Sequence, residues 1–392
     1  TYGDWSSDVC SSDLASAGIK GTEFVAQVET ANGVERTTFS VIDGEVELGN
    51  ERGTLSLTNG QQAAVEPGQP PARTVGFVAN NLLQWCFYYP AVLDLRDLPL
   101  NVEEQNTLSD SLAAYRAGDL PGALEKYPAN RKPSSDAERI YFAELLLAVG
   151  EVQRTELELA VLSPAEPTGQ LPRLANALRT LIAAVKRQPS HLTVGAQLPT
   201  ELLAESYHEQ SRAVGEESLK TALRLARQAA TISPEFGFAW ERVAELEFSF
   251  GRTKQALEAL NRSLALAPRN AQALALNGFL LAAQNKARQA SEKFDEAIAV
   301  DSGLGNAWLG RGLCRIRRGD ATGGREDLIT AAALEPQRAL LRSYLGKAYA
   351  SAGDRGRARH ELDLAKELDP TDPTAWFYSA LLNEEEIGRA HV

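Results

Sequence analysis

The sequence repeats itself every 34 residues across residues 203–382, and this constrains the chain more than any other feature. Pro234, Pro268, Pro336 and Pro370 fall on one beat of the repeat, and Ser302 fills the beat that lacks proline. Gly251, Asn285, Gly319 and Gly353 mark a second beat. Small residues recur at Ala244, Gly278, Gly312, Gly346 and Ala380, and again at Ala256, Ala290, Gly324 and Ala358. A large apolar residue follows at Leu260, Phe294, Leu328 and Leu362, then a small one at Ser263, Ala297, Ala331 and Ala365. Trp240, Trp308 and Trp376 open alternate units. Each series has a physical reason. Close-packed helices need positions without bulk, and the large series fills the space between pairs. Gly or Asn accepts the left-handed backbone that ends a first helix. Proline cannot continue the second helix.

A helix–turn–helix of this length with this pattern resembles the tetratricopeptide repeat. Units begin near residues 203, 237, 271, 305, 339 and 373, and the last holds a first helix without a second. The expected fold is mainly α, a tetratricopeptide-type α-solenoid over residues 203–383, preceded by a small β-domain. In the truncated last unit Trp376, Leu381 and Leu382 are expected to carry apolar surface, so that the end self-associates or frays.

Residues 15–67 read differently. Period-two runs such as TEFVAQVE and GTLSLT are separated by Asn32-Gly33, Asp43-Gly44, residues 50–53 and Asn59-Gly60, which are hairpin signals. Gly21-Thr22-Glu23-Phe24, the run VIDGEVE from Val41, and Gly60-Gln61-Gln62 with Pro67-Gly68 resemble the second half of a FecR domain. That resemblance implies a β-module of a bacterial envelope protein, periplasmic or envelope-associated, and a role in relaying a ligand signal.

Residues 68–100 begin with a proline-rich linker, and residues 74–93 carry no charge. Asn80, Asn81, Gln84 and Pro90 interrupt that stretch, so it is expected to pack as an apolar interdomain segment rather than span a membrane. Residues 101–190 have helical periodicity around Gly118-Asp119 and Gly150, expected as two irregular units of the same kind.

The two ends resemble translated sequencing adapter. DVCSSD, at residues 8–13, and IGRAHV, at residues 387–392, can be encoded by opposite strands of one oligonucleotide. Residues 1–14 and 387–392 are therefore expected to be non-native and unstructured, and the chain, which contains no Met, to be an internal fragment.

The formal charge of −12 disfavours nucleic acid and anionic membranes as partners. Cys10 falls in the adapter-like end, and Cys86 and Cys314 are far apart, so no disulfide framework is expected. His191, His208 and His360 have no second His or Cys at ligand spacing. No phosphate loop or nucleophile motif is present. No catalytic residue, metal site or cofactor is expected. Arg311, Arg315, Arg317 and Arg318 form a cluster whose expected role is pairing with Glu326 and Asp327, with an anion contact as the alternative.

The expected function is a non-catalytic scaffold that binds a protein or peptide in the solenoid groove. The alternatives are a FecR-like regulator whose output module lies elsewhere, or the non-catalytic part of a larger enzyme. In tetratricopeptide proteins the ligand lies along the first helices. The face opposite the packing series offers Phe238, Glu241, Glu245 and Phe248, then Gln272, Ala275 and Phe279, then Asn306, Leu309 and Leu313, and finally Lys347. The face reads as mostly apolar. An apolar helix or extended segment is expected, anchored near Phe238, Phe279 and Leu313.

Overall fold

The computed structural model describes residues 9–11, 16–19, 23–31, 34–43, 45–58, 62–73, 90–162, 169–186, 188–189, 195–211, 216–336, 338–370 and 373–390. The chain divides into two compact units, residues 1–83 and 84–392.

The first unit is two antiparallel sheets. One has the order β1 (Val9–Ser11), β2 (Ser16–Ile19), β5 (Glu45–Asn50), β6 (Gly53–Thr58). The other has β3 (Glu23–Ala31), β4 (Val34–Asp43), β7 (Gln62–Val65), β8 (Ala72–Arg73). β3 and β4 form a hairpin, with Ala31 opposite Val34. β4 and β5 do not: they lie in different sheets, so the expected hairpin over VIDGEVE is a crossing between sheets. The reason is a shared core. Phe39 from one sheet and Val46, Leu48 and Leu57 from the other form one buried cluster, so the two sheets bury a common core. β8 lies where the prolines suggest linker.

The second unit is a tetratricopeptide-type solenoid. Its regular first helices are α9 (Gly237–Ser249), α11 (Ala271–Ala283), α13 (Gly305–Arg317), α15 (Ala339–Ser351) and α17 (Pro373–Ala390). Their second helices are α10 (Thr253–Leu266), α12 (Ala287–Val300), α14 (Ala321–Leu334) and α16 (Arg355–Leu368). Both sets start at intervals of 34 residues, as the repeat requires. Gly251, Asn285, Gly319 and Gly353 all have positive φ, between 65° and 95°.

The small and large series meet as the packing logic demands. A Cβ at Gly278 would lie 2.6 Å from the Phe294 ring, and one at Gly346 would lie 2.7 Å from Leu362. The tryptophans clamp the linkers. Trp240, Trp308 and Trp376 donate from Nε1 to the carbonyls of Pro234, Ser302 and Pro370 at 2.9, 2.9 and 3.0 Å. Arg342 holds the same register and donates from Nε to the Pro336 carbonyl at 3.1 Å. In that unit a guanidinium thus takes the place of the indole, whereas the unit that starts at Ala271 carries Leu274 there.

Upstream, the helices are α1 (Val102–Thr107), α2 (Ser109–Arg116), α3 (Leu120–Glu125), α4 (Asp136–Ala148), α5 (Val152–Ala160), α6 (Gln170–Val185), α7 (Pro199–Ser211) and α8 (Glu216–Ile232). Gly118 and Gly150 have φ of 87° and 84° and turn α2 into α3 and α4 into α5. Residues 74–89, Cys86 among them, lie outside the described residues. Residues 90–100 are irregular, with a turn in which Asp97 N donates to Asp94 O at 2.9 Å, and are buried through Ala91, Val92, Leu93, Leu98 and Leu100. Glu144 accepts from the N–H groups of Val92 and Leu93 at 2.8 and 3.3 Å. Asp97 accepts from Thr200 N and Oγ1 at 3.1 and 2.7 Å. The solenoid also closes on its own first pair: Arg269 N donates to Ala117 O at 2.7 Å and Arg269 Nε to Asp119 Oδ2 at 2.9 Å.

The last helix departs from expectation. It runs to Ala390, through residues 387–390, and Val9–Ser11 pairs with Ser16–Gly18, so these parts of the ends have regular structure. The remaining end residues lie outside the described set. Trp376, Phe377 and Leu381 are 55%, 59% and 41% exposed. Leu382 is not: it is buried in a cluster with Leu341, Leu345 and Leu362, because its side of the helix faces α15 and α16. No helix among the described residues is long and apolar enough to cross a membrane.

Candidate binding cleft

Five helices converge on an open cleft of about 670 Å³. α9 contributes Glu241 and Glu245, α11 contributes Gln272, Ala275, Leu276 and Phe279, and α13 contributes Asn306. α7 adds Tyr207, Gln210 and Ser211, and α6 adds Leu181, Ala184 and Val185. Leu304, Glu335, Arg338 and Pro90 complete the wall.

The spacing explains why one face supplies the cleft. Glu241 and Glu245 are one helical turn apart, as are Gln272, Ala275 or Leu276, and Phe279 on the next first helix. Phe279 stands at the centre. Its ring meets Phe294 edge-on with centroids 5.0 Å apart, which fixes its orientation and leaves it half-buried. The Tyr207 end is acidic. Glu241 is 3% exposed and accepts from Tyr207 Oη at 3.5 Å. Burial, with Glu245 beside it, pushes its carboxyl up to about 8. At the other end Arg338 donates to Asn306 Oδ1 at 2.7 Å and pairs with Glu335 at 3.2 Å. Burial raises the Glu335 carboxyl.

Glu241, Glu245, Gln272, Ala275, Phe279 and Asn306 are thus gathered in the cleft, as the register predicts. Five other candidates are not. Phe238 is 5% exposed and packs against Tyr115 and Phe236, with ring centroids at 5.5 and 6.0 Å. The solenoid's own α2 covers it, so it cannot anchor a ligand. Leu309 is buried in the core between repeats. Leu313 packs on that same core, and Phe248 packs on the larger upstream one. Lys347 is exposed on α15, with its Nζ 4.9 Å from the centroid of the Tyr378 ring in the next unit. The expected apolar face is corrected with them: the cleft is apolar at its centre and charged at both ends.

The cleft residues that the register of the first helices omits fall into three groups. Tyr207 and Ser211 sit one repeat before Glu241 and Glu245, so extending the register back one unit finds them. Leu304 and Arg338 cap the starts of α13 and α15, outside the helical positions that the register covers. Pro90 and the α6 residues come from irregular segments that no periodicity places.

Two members of the arginine cluster, Arg311 and Arg315, are paired within the solenoid, and Arg317 and Arg318 are exposed. Arg311 forks onto Asp327 at 2.9 and 2.7 Å and reaches Asp295 at 2.8 Å. Arg315 meets Asp327 at 3.0 Å. Asp327 fulfils the expected pairing, Asp295 is a further partner, and Glu326 is exposed. Cys314 is a buried free thiol raised by that burial. His208 Nε2 lies 2.8 Å from Gln188 O, and His191 lies outside the described residues. Among the described residues no group of three or more His, Cys, Asp or Glu is placed to hold a metal.

No protein-family model matches the chain. No curated protein matches it at the significance required. Among solved structures, it is similar to TTC0263, a thermophilic TPR protein of Thermus thermophilus. The identity is 22%, over 47% of this chain and 98% of that one, with a TM-score of 0.41. It is also similar to PilW, a type IV pilus biogenesis factor (19% identity, 48% and 94% coverage, TM-score 0.38). A third is YrrB, a TPR protein with an unusual peptide-binding site (17% identity, 46% and 91% coverage, TM-score 0.33). At such scores these likenesses carry no weight beside the repeat register and helix pairing.

Proposed function

We propose that this chain is a non-catalytic interaction scaffold whose solenoid holds a segment of a partner protein in the cleft around Phe279. One observation carries the reading. Side chains from α6, α7, α9, α11 and α13 converge on a single open cleft with an apolar centre and polar ends. Binding sites commonly combine an apolar floor with a few placed polar groups. Stacked repeats also present such surfaces as their ordinary use. The occupant is a short extended segment or one face of a helix.

The FecR-like motifs of residues 21–68 support placing the protein in the bacterial envelope, in or facing the periplasm. They also favour a second reading, in which a signal-transduction regulator receives its partner through the solenoid. Fractionation of the source cells separates an envelope location from a cytosolic one.

The cleft is tested by partner capture with variants inside and outside it. Phe279→Ala and Asn306→Asp are expected to lose the captured partner, and Leu313→Ala to retain it. Capture that survives both cleft changes in folded protein rejects the cleft as the site.

A further inference from the structure

The acidic end of the cleft contains a carboxylate without an adequate partner. Glu241 is 3% exposed, yet the one hydrogen bond its carboxylate accepts among the described residues is from Tyr207 Oη at 3.5 Å. That is the outer limit of such a bond. A buried carboxylate ordinarily takes several short, charge-assisted bonds. Glu245, one turn along the same helix face, is 38% exposed at its side chain and lines the same cleft.

The charge of Arg242 acts on Glu241, but no resident cation donates a hydrogen bond to it among the described residues. Arg242 is fully buried, and its guanidinium is already engaged. It donates to Ser206 Oγ and Ser206 O at 3.1 Å each and to Glu245 at 2.8 Å, and it stacks 3.9 Å from the Tyr207 ring centroid. Arg338 is held at the far end by Asn306 and Glu335.

We infer that Glu241 and Glu245 form a subsite for the cationic side chain of the partner segment, an arginine or a lysine. Its guanidinium or ammonium group occupies the space before the two carboxylates. Its aliphatic stem lies along Leu276 and Phe279, as long cationic side chains do on apolar surface. An arginine fits best, because its planar fork can meet both carboxylates at once. Burial and the neighbouring Glu245 raise the Glu241 carboxyl, with the charge of Arg242 and the Tyr207 hydrogen bond only partly opposing them, so the group is mostly protonated at neutral pH and an arriving cation would draw its proton off. This deepens the proposed function and rests on it, by naming what the partner brings to one end of the cleft.

The test uses the full chain and two blocked pentapeptides, acetyl-Leu-Ala-Arg-Ala-Leu-amide and the same peptide with citrulline in place of arginine. Citrulline keeps the shape and removes the charge. Binding is followed by NMR titration at low salt. The arginine peptide is expected to bind about fivefold more tightly, which corresponds to ~1 kcal/mol. That preference should vanish in Glu241→Gln and shrink in Glu245→Gln. The second variant sits at a partly exposed position and tests the subsite even where the first disturbs folding. Equal binding of the two peptides overturns the inference, as does no saturable binding of the arginine peptide. A preference that survives the double variant also overturns it. A partner captured through Phe279 alongside equal peptide binding overturns this inference alone. Partner capture that survives the loss of Phe279 removes the proposed function with it.

Discussion

Gly310 makes room for Phe294: a Cβ built at Gly310 would lie 2.1 Å from the ring's Cζ, and one at Gly278 would lie 2.6 Å from Cε1. The residues that correspond to Phe294 in other units are Leu260, Leu328 and Leu362, which are smaller than phenylalanine. Those that correspond to Gly310 are Arg242, Leu276 and Tyr344, which are larger than glycine. One bulky substitution in the repeat is thus matched by one deletion of bulk in the next unit. Gly310→Ala gains helix propensity of about 1 kcal/mol. It also forces a side chain into a packed ring, at about 1–3 kcal/mol. The net expectation is destabilisation by up to about 2 kcal/mol, measured by chemical denaturation. The loss should disappear in a Phe294→Leu background, since the clash needs both residues. An unchanged loss there contradicts the pairing.

Asp327 should matter where Glu326 does not. Asp327 is 2% exposed and holds both Arg311 and Arg315. Asp327→Asn leaves two partly buried guanidinium groups without their shared charge, and about 2–4 kcal/mol of stability should be lost. Glu326→Ala, at an exposed neighbour, should change stability by less than about 0.5 kcal/mol. Comparable losses from the two variants would show that the charge density of α14, and not the fork geometry, holds the arginines.

Stability should fall as pH rises through neutrality. Burial pushes Glu144 up to about 7, against the opposing N–H groups of Val92 and Leu93. Burial with Glu245 pushes Glu241 up to about 8. Both titrate near 4.3 in an unfolded chain. Their folded pKa values lie above the unfolded ones, so their contribution is full below about pH 4.3. It is lost as pH rises through about 7 to 8. Glu138 opposes this at the acid end. Burial raises its carboxyl, but Arg131, Ser134 and Tyr127 outweigh that and hold it at about 2. Its contribution is lost as pH falls towards that value. Denaturation at about pH 5.5 and about pH 8.5 should show a drop of about 2–4 kcal/mol at the higher pH. Glu144→Gln should flatten that slope. Stability that rises between the two conditions contradicts the burial of these carboxylates.

The repeat is legible in the sequence because each of its positions answers a local requirement. Gly251 and Gly319 turn the chain, Gly278 and Gly346 admit a neighbouring helix, and the 34-residue interval then fixes where every regular helix starts. The cleft is legible only along the first helices α9, α11 and α13. Glu241, Phe279 and Asn306 follow from helical spacing, which says which face a residue is on. Spacing does not say what lies opposite that face. Phe238 shares the face with Glu241, but Tyr115, far upstream, covers it. Lys347 continues the face beyond the cleft's end. The β4–β5 crossing escapes the sequence for a similar reason: Asp43-Gly44 signals a change of direction, while β4 pairs instead with β3 and β7, and β5 with β2 and β6, partners that this turn does not name.

The most direct test of the central claim is site-specific photocrosslinking in the source cells. A photoreactive phenylalanine analogue is placed at Gln272, inside the cleft, or at Lys347, exposed on α15 outside it. The account predicts a discrete protein adduct from residue 272 that is lost when Phe279→Ala is added, and none from residue 347. An adduct from 347 with none from 272 contradicts it and places the partner on another face of the solenoid.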